Sequence, residues 1–403
     1  MSDIVERAIA PLRRFELARS ALFWLPVYYL LFERHLPAEE VLRLASIYYL
    51  AGVLLEVPSG IASDRLGRRP TLIIAAALQL VGAIAMLGAE SLAGFALAQG
   101  CLSAAVAFVS GTDTSYLYEH LRAAGRESEV AEQEARLQRI GLIGMSLGAF
   151  IGGAAGSVDL RLPYLLTALA SAAALVSALR LVEPAHLIVA TERLDARLVR
   201  RGLGDPVLAW GLGLAVAAMV FNHVPFELLQ PYLAALGSGA GRLTPLASGA
   251  VLGATMWLAV VASRRSPALG RRLGLAGGAI AGLSVQALVT GLLGLAVHPL
   301  LAAAFLLRSV PQALLQPLLR ALLHPRLPDA HRATWFSFQS LVARLAFAAV
   351  LWLAAGRTRG LEHLDAPTLT TLFRIAWLGL LATILCLWFT RPRSSDLSTE
   401  PSR

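Results

Sequence analysis

The stretch Gly60-Ile61-Ala62-Ser63-Asp64-Arg65-Leu66-Gly67-Arg68-Arg69 decides how the rest of the chain is read. It separates two apolar runs, residues 40–62 and 70–89, each about the 20 residues that a helix needs to cross a bilayer. Gly67 permits a sharp turn between them, and the three arginines mark the turn as cytoplasmic, because cytoplasmic loops retain positive charge. The segment therefore reads as the inner hairpin of two antiparallel membrane spans.

The same reading extends outward in both directions. Apolar segments of spanning length fall at 15–33, 40–62, 70–89, 91–119, 137–156 and 161–182, then at 207–235, 244–263, 271–295, 298–320, 334–356 and 368–390. The first is not read as a signal peptide: Glu16 and Arg19 interrupt its start, and no small-residue cleavage site follows. With the N-terminus inside, 26 of the 35 basic residues lie at cytoplasmic ends or loops, which predicts both termini in the cytoplasm.

Composition agrees. Of the 403 residues, 57% are hydrophobic and 15% charged, against about 25% charged in a soluble domain, and mean hydropathy is +0.65. This excludes a water-soluble enzyme. The net charge of +9 is carried entirely by arginine and follows the spans, so a nucleic-acid partner is not indicated. Cys101 and Cys386 both lie in apolar segments, leaving no disulfide framework or metal site. The motifs His-Glu-x-x-His, Gly-x-Ser-x-Gly, Walker lysine and Cys-x-x-Cys are absent, so the chain is expected not to be an enzyme and to use no cofactor.

The polar interval Glu183–Pro206 divides six spans from six. The expected organisation is an N-terminal six-helix bundle (1–183), a cytoplasmic linker (184–206), a C-terminal six-helix bundle (207–392) and a disordered tail (393–403). Within the linker, Glu192 to Arg200 reads either as a short surface helix or as a plain tether. Two similar bundles around a central cavity are the plan of many secondary transporters.

The hairpin loop matches Gly-x-x-x-Asp-Arg-x-Gly-Arg-Arg at every fixed position, and in this it resembles the signature of the major facilitator superfamily; the polar run Ser110–Glu119 of the fourth span resembles a sequence that recurs in a bacterial branch of it. The resemblance covers essentially the whole membrane portion. It implies an all-α membrane protein of twelve helices in two pseudo-symmetric bundles, and a conformational latch made by Gly60, Asp64, Arg65, Gly67, Arg68 and Arg69. In that family Asp64 would meet the positive N-terminal end of the eleventh helix near Thr334, and Arg68 would reach an acid at the inner end of the fourth, here Glu119. The alternative is that these arginines are topology signals alone.

Ionisable residues inside spans are functional candidates by default. Glu56, about 12 Å from Asp64 along the helix at 1.5 Å per residue, could pair with Arg344 or take part in proton or substrate binding. Asp113, in the polar run Ser110–Glu119, could bind substrate or protons, or bond to the motif loop. On the seventh span, His223 and Glu227 share a face with Asn222 nearby, and Pro225 and Pro231 are expected to break the backbone ladder. Arg308 and Gln312 share a face of the tenth span. If helices one, four, seven and ten surround the cavity, as the resemblance implies, Trp24, Tyr28, Asp113, Glu227, Arg308 and Gln312 line it. Arg308 could bind an anion or neutralise Glu227 or Asp113.

The fifth span carries Gly144, Gly148 and Gly152, a row of small residues that lets helix backbones approach closely, and Gly249 with Gly253 on the eighth offers the facing groove. This run also resembles the Gly-Pro-x-x-Gly-Gly motif of proton-coupled exporters, but Ala149 replaces the proline, and Ala96 stands where the exporter arginine is expected. The functional expectation is a monomeric multi-pass protein of the inner membrane of a bacterium, embedded in lipid, that moves a small organic solute by alternating access. Proton-coupled efflux of an amphipathic compound leads. Uptake or uniport on the same fold, and a non-transporting receptor or membrane enzyme, are the alternatives.

Overall fold

The computed structural model describes residues 2–183, 196–237, 243–327 and 329–392. The tail 393–403 and the first part of the linker lie outside them. The described residues are helical: α1 (Ser2–Ser20), α2 (Tyr28–Glu33), α3 (Ala38–Leu66), α4 (Arg68–Gly88), α5 (Leu92–Val109), α6 (Thr112–Ala123), α7 (Val130–Gly156) and α8 (Leu162–Leu179). The second half continues with α9 (Ala196–Gly204), α10 (Pro206–Ala235), α11 (Leu243–Ser263), α12 (Ser266–Leu293), α13 (Pro299–Ala302), α14 (Val310–Leu323), α15 (Asp329–Arg357) and α16 (Ala366–Phe389). Among the described residues, ten helices, with α5 and α6 taken as one, are long and apolar enough to cross a membrane.

The other two expected spans, the first and the tenth, are interrupted. The first unwinds over residues 21–27, between α1 and α2. Trp24, Pro26 and Val27 within it are buried and the other four residues half-buried, in keeping with the need for irregular backbone at membrane depth to be covered by protein. Gly144, Gly148 and Gly152 of α7 lie against it: a Cβ at Gly144 would meet Leu17 O, at Gly148 Leu22 N (2.9 Å), and at Gly152 Phe23 O. The expectation that this row faces the eighth span is thereby corrected. The neighbouring ridge does that, with Gly153 and Ala149 against Gly249, and Phe150 against Gly253. The tenth span changes from α13 to a 3-10 stretch (Ala303–Leu307) and resumes as α14, with Arg308 in the break. The fourth breaks at Gly111, which is left-handed at φ 77° and precedes α6. In contrast, α10 stays helical through Pro225 and Pro231, so the expected interruption there does not occur.

Two compact units result: Met1–Ala190 with Gly239–Gly253 and Arg359–Glu362, and Thr191–Ser238 with Ala254–Thr358 and His363–Arg403. Most of α9, which the sequence places in the linker, is a helix of the second unit, where Gly202 lies against the Trp335 indole. The first core gathers Leu12, Phe15, Leu72, Tyr116 and Leu121; the second gathers Trp210, Leu214, Leu283, Leu319 and Trp335. Large apolar side chains such as Leu54, Leu97, Leu169, Leu353 and Phe389 point outward, as they do where the surrounding solvent is hydrocarbon.

The units repeat the same devices. Gly67 (φ 101°, ψ 167°) starts α4, and Gly274 (φ 74°, ψ 165°) kinks α12, both in a region open essentially to glycine alone. Each follows an Arg-Leu pair, Arg65-Leu66 and Arg272-Leu273. At the opposite ends of these helices, Arg161 donates to Leu87 O (2.8 Å) and Arg374 to Gly294 O (2.8 Å), placing a cation on the negative helix terminus. Arg374 is therefore a cap of α12.

Asp365 caps α16, accepting from Thr368 N–H at 2.9 Å. The hydrogen bonds from Thr368 hold its carboxyl below the ordinary range, so the cap contributes fully above that range and is lost as pH falls through the lowered value. Asp365→Ala should cost about 1 kcal/mol. Thermal unfolding at neutral pH should show the loss, and the two proteins should converge at acid pH.

Candidate functional site

The motif loop is organised by Arg68. Its Nε donates to Glu119 (3.0 Å), and its Nη1 to Ser63 Oγ (2.7 Å) and Asp64 (2.9 Å). Glu119 is 5% exposed, so its charge requires this partner. Thr112 Oγ1 donates to Ser63 Oγ at 3.1 Å, tying α6 to the same point. The turn itself is closed by Glu183, whose two carboxylate oxygens accept from the backbone N–H of Arg68 (2.7 Å) and Arg69 (2.8 Å). A carboxylate on an unsatisfied helix N-terminus is favoured by both hydrogen bonding and the helix dipole. Arg69 in turn donates to Leu179 O (3.0 Å). Gly67 lies against Glu183, leaving no room for a Cβ, whereas Gly60 has open space. Arg65 is exposed.

Glu183 is missing from the sequence reading because it stands at the start of a polar interval and looks like linker. The signal was its place directly after the sixth apolar run.

A second charged cluster lies between α1 and α6. Arg19 donates to Glu16 through Nε (2.7 Å) and reaches Asp113 at 3.4 Å. Ser20 Oγ donates to Glu16 at 3.0 Å, and Gln79 donates to Arg19 O at 2.9 Å. Glu16 is 6% exposed. Within the first unit the counter-ion of Asp113 is thus Arg19; the bond to the motif loop comes from its neighbour Thr112. Glu16 and Arg19 were legible as buried charges three residues apart on a span.

Trp24 and Tyr28 are buried in an aromatic group, Trp24 stacked on Tyr164 (6.2 Å) and edge-on to Tyr28 (5.8 Å). Glu56, on α3, is half-buried, and its backbone oxygen accepts from Ser59 Oγ (2.9 Å).

In the second unit Arg308 sits over the Phe226 ring at 4.9 Å, a cation–π contact. His223 bonds to Met219 O (2.8 Å) and packs on Phe347 (5.4 Å). Arg308 and Arg344 both lie within electrostatic reach of the His223 ring. Glu227 and Gln230 are buried on the same helix. Asn222 Oδ1 and Gln312 Oε1 are buried without a hydrogen-bond partner among the described residues. Glu56 belongs to the first unit and Arg344 to the second. No group of three or more potential metal ligands occurs among the described residues.

Ten helices long and apolar enough to cross a membrane, among the described residues, define a multi-pass membrane protein. The chain belongs to the Major Facilitator Superfamily, whose model matches residues 17–351. Its fold is that of solved transporters: the nucleoside transporter NupG (TM-score 0.75, 13% identity, 98% of this chain and 100% of that one) and a D-xylose-proton symporter (TM-score 0.72, 16% identity, 100% of both). A curated relative, the mouse (Mus musculus) glucose-6-phosphate exchanger SLC37A1, is 25% identical over 168 residues, 40% of this chain. The match spans about a third (32%) of that relative.

Proposed function

We propose that this protein is a secondary active transporter that exports an amphipathic organic solute across the inner membrane of a bacterium in exchange for protons, cycling as a monomer by alternating access. The observation that carries the transporter reading is the Arg68 cluster: one guanidinium holds Ser63, Asp64 and Glu119 on two helices beside a glycine-only turn. Such a cluster can act as a latch, made in one state of the cycle and broken in another. In the second unit Asn222, His223, Glu227, Arg308 and Gln312 are the candidate solute-binding groups, because they are polar or ionisable residues inside spans and Asn222 Oδ1 and Gln312 Oε1 are buried without a hydrogen-bond partner among the described residues, which favours a polar ligand. Membership of a transporter superfamily argues against an enzyme or a receptor.

A second reading, exchange of an anionic solute, draws on the buried Arg308 (9% exposed) and on the name of the mouse relative, a glucose-6-phosphate exchanger.

A thermal-shift screen of metabolites and amphipathic drugs on the purified protein tests both. A ligand at 100 times its Kd adds about 2.7 kcal/mol. Its flux into inside-out proteoliposomes, where accumulation corresponds to export, should rise when the interior is acid. Asp64→Asn should slow this flux at least tenfold with folded protein retained; unchanged flux would reject the latch. Uptake independent of the pH gradient would reject proton exchange.

A further inference from the structure

We propose that Glu16, Arg19 and Asp113 form a one-proton site inside the first unit, and that α6, hinged at Gly111, carries its protonation state to the Arg68 cluster. The inference rests on the proton-coupled reading above and supplies the residues for it.

Two carboxylates share one guanidinium here. With both ionised the triad carries a net charge of −1, and like charges around a single counter-ion in a desolvated site favour uptake of one proton. The geometry says where it goes. Glu16 is held on both oxygens: Oε1 accepts from Ser20 (3.0 Å), and Oε2 accepts from Arg19 Nε (2.7 Å) and pairs with Nη2 (2.6 Å). Asp113 Oδ1 accepts from Thr114 N–H (2.9 Å), but its Oδ2 meets Arg19 only at 3.4 Å. Asp113 Oδ2 is the less compensated oxygen and the one that takes the proton from water, bringing the triad to neutrality.

Among the described residues, the charges acting in the triad are its own: Arg19 attracts both carboxylates, and Glu16 and Asp113 repel each other. From α4 the neighbour is the uncharged Gln79, bonded to Arg19 O, and from α7 it is Gly141 against Glu16 and Ser20.

The mechanical link is the short helix α6. Its first turn carries Asp113 and its later turns carry Glu119, and at its start Thr112 bonds to Ser63, which itself accepts from Arg68. Ionised Asp113 pins α6 to α1 while Glu119 pins it to Arg68. Protonation of Asp113 removes its attraction to Arg19 and frees the first turn to rotate about Gly111, whose left-handed backbone (φ 77°) interrupts the helix from α5. The Thr112–Ser63–Arg68 chain then feels the change.

The test needs no solute. Full-length protein in lipid nanodiscs is titrated from neutral to acid pH and read in two ways, by the infrared band of protonated carboxyl groups and by amide hydrogen exchange of residues 112–123. The wild type should gain a carboxyl band, with faster exchange in α6 over the same pH interval. Asp113→Asn should lose that band and exchange at the acid rate throughout. Glu16→Gln leaves one carboxylate for one guanidinium, and should move the titration to lower pH. A band that survives Asp113→Asn, or α6 exchange that keeps the wild-type pH dependence, overturns the proposal. Should Asp113→Asn not fold, an unmoved titration in Glu16→Gln overturns it equally. Because neither readout involves transport, loss of this site would leave the transporter reading standing, and absence of flux would leave this site standing.

Discussion

Gly67→Ala is expected to be among the most damaging single-methyl additions in the protein, while Gly60→Ala, seven residues earlier in the same motif, should be nearly silent. Two costs add at Gly67. Its backbone (φ 101°, ψ 167°) lies where a Cβ is strained by about 1–3 kcal/mol. The new methyl would also occupy the place of the Glu183 carboxylate, which accepts from Arg68 and Arg69 N–H. Displacing that carboxylate uncaps α4, at about 0.5–2 kcal/mol. Gly60 has ordinary helical placement and nothing near its Cβ position. The difference should appear as a large fall in thermal midpoint for Gly67→Ala alone, together with loss of transport. Equal midpoints for the two variants would contradict this account of the turn.

Arg68→Met should be more severe than removal of both partners. Glu119 is buried, with one oxygen on Arg68 and the other without a hydrogen-bond partner among the described residues. Removing the guanidinium strands a buried carboxylate, at about 3–5 kcal/mol. Replacing both, as in Arg68→Met with Glu119→Leu, should recover most of that loss, because an apolar pair of similar volume is often neutral relative to a buried ion pair. Transport should not return in the double variant if the pair is a switch. Stability and flux thus separate a switch from a strut: recovery of both would make the cluster structural only.

Much of the fold was legible because a bilayer imposes a length and a polarity on every crossing. The apolar runs at 40–62 and 70–89, the turn at Gly67 and the superfamily signature required no tertiary information. The breaks in the first and tenth spans were less legible. Residues 21–27 are as apolar as a helix and contain one proline, Pro26; the close approach of Gly148 and Gly152 from α7 to Leu22 and Phe23 is a contact between distant segments that the local sequence does not carry. Conversely, Pro225 and Pro231 suggested breaks that the packing of α10 overrides.

The site divides in the same way. Arg68 and Glu119 could be read from the motif and the resemblance. The partner of Asp113 could not, since Arg19 lies 94 positions away and the sequence offered Arg308 as an equally charged alternative. Glu183 was hidden for a different reason: its one signal, a place directly after the sixth apolar run, is equally that of the first residue of a tether.

The most direct test of alternating access is a pulsed electron-spin distance measurement in nanodiscs between labels at Ala123 of α6 and Ala321 of α14, both exposed, with Cys101 and Cys386 replaced. Alternating access predicts two distance populations whose ratio changes with pH and collapses toward one in Asp64→Asn. A single distance, unmoved by pH, by the screened ligand or by that substitution, would contradict it.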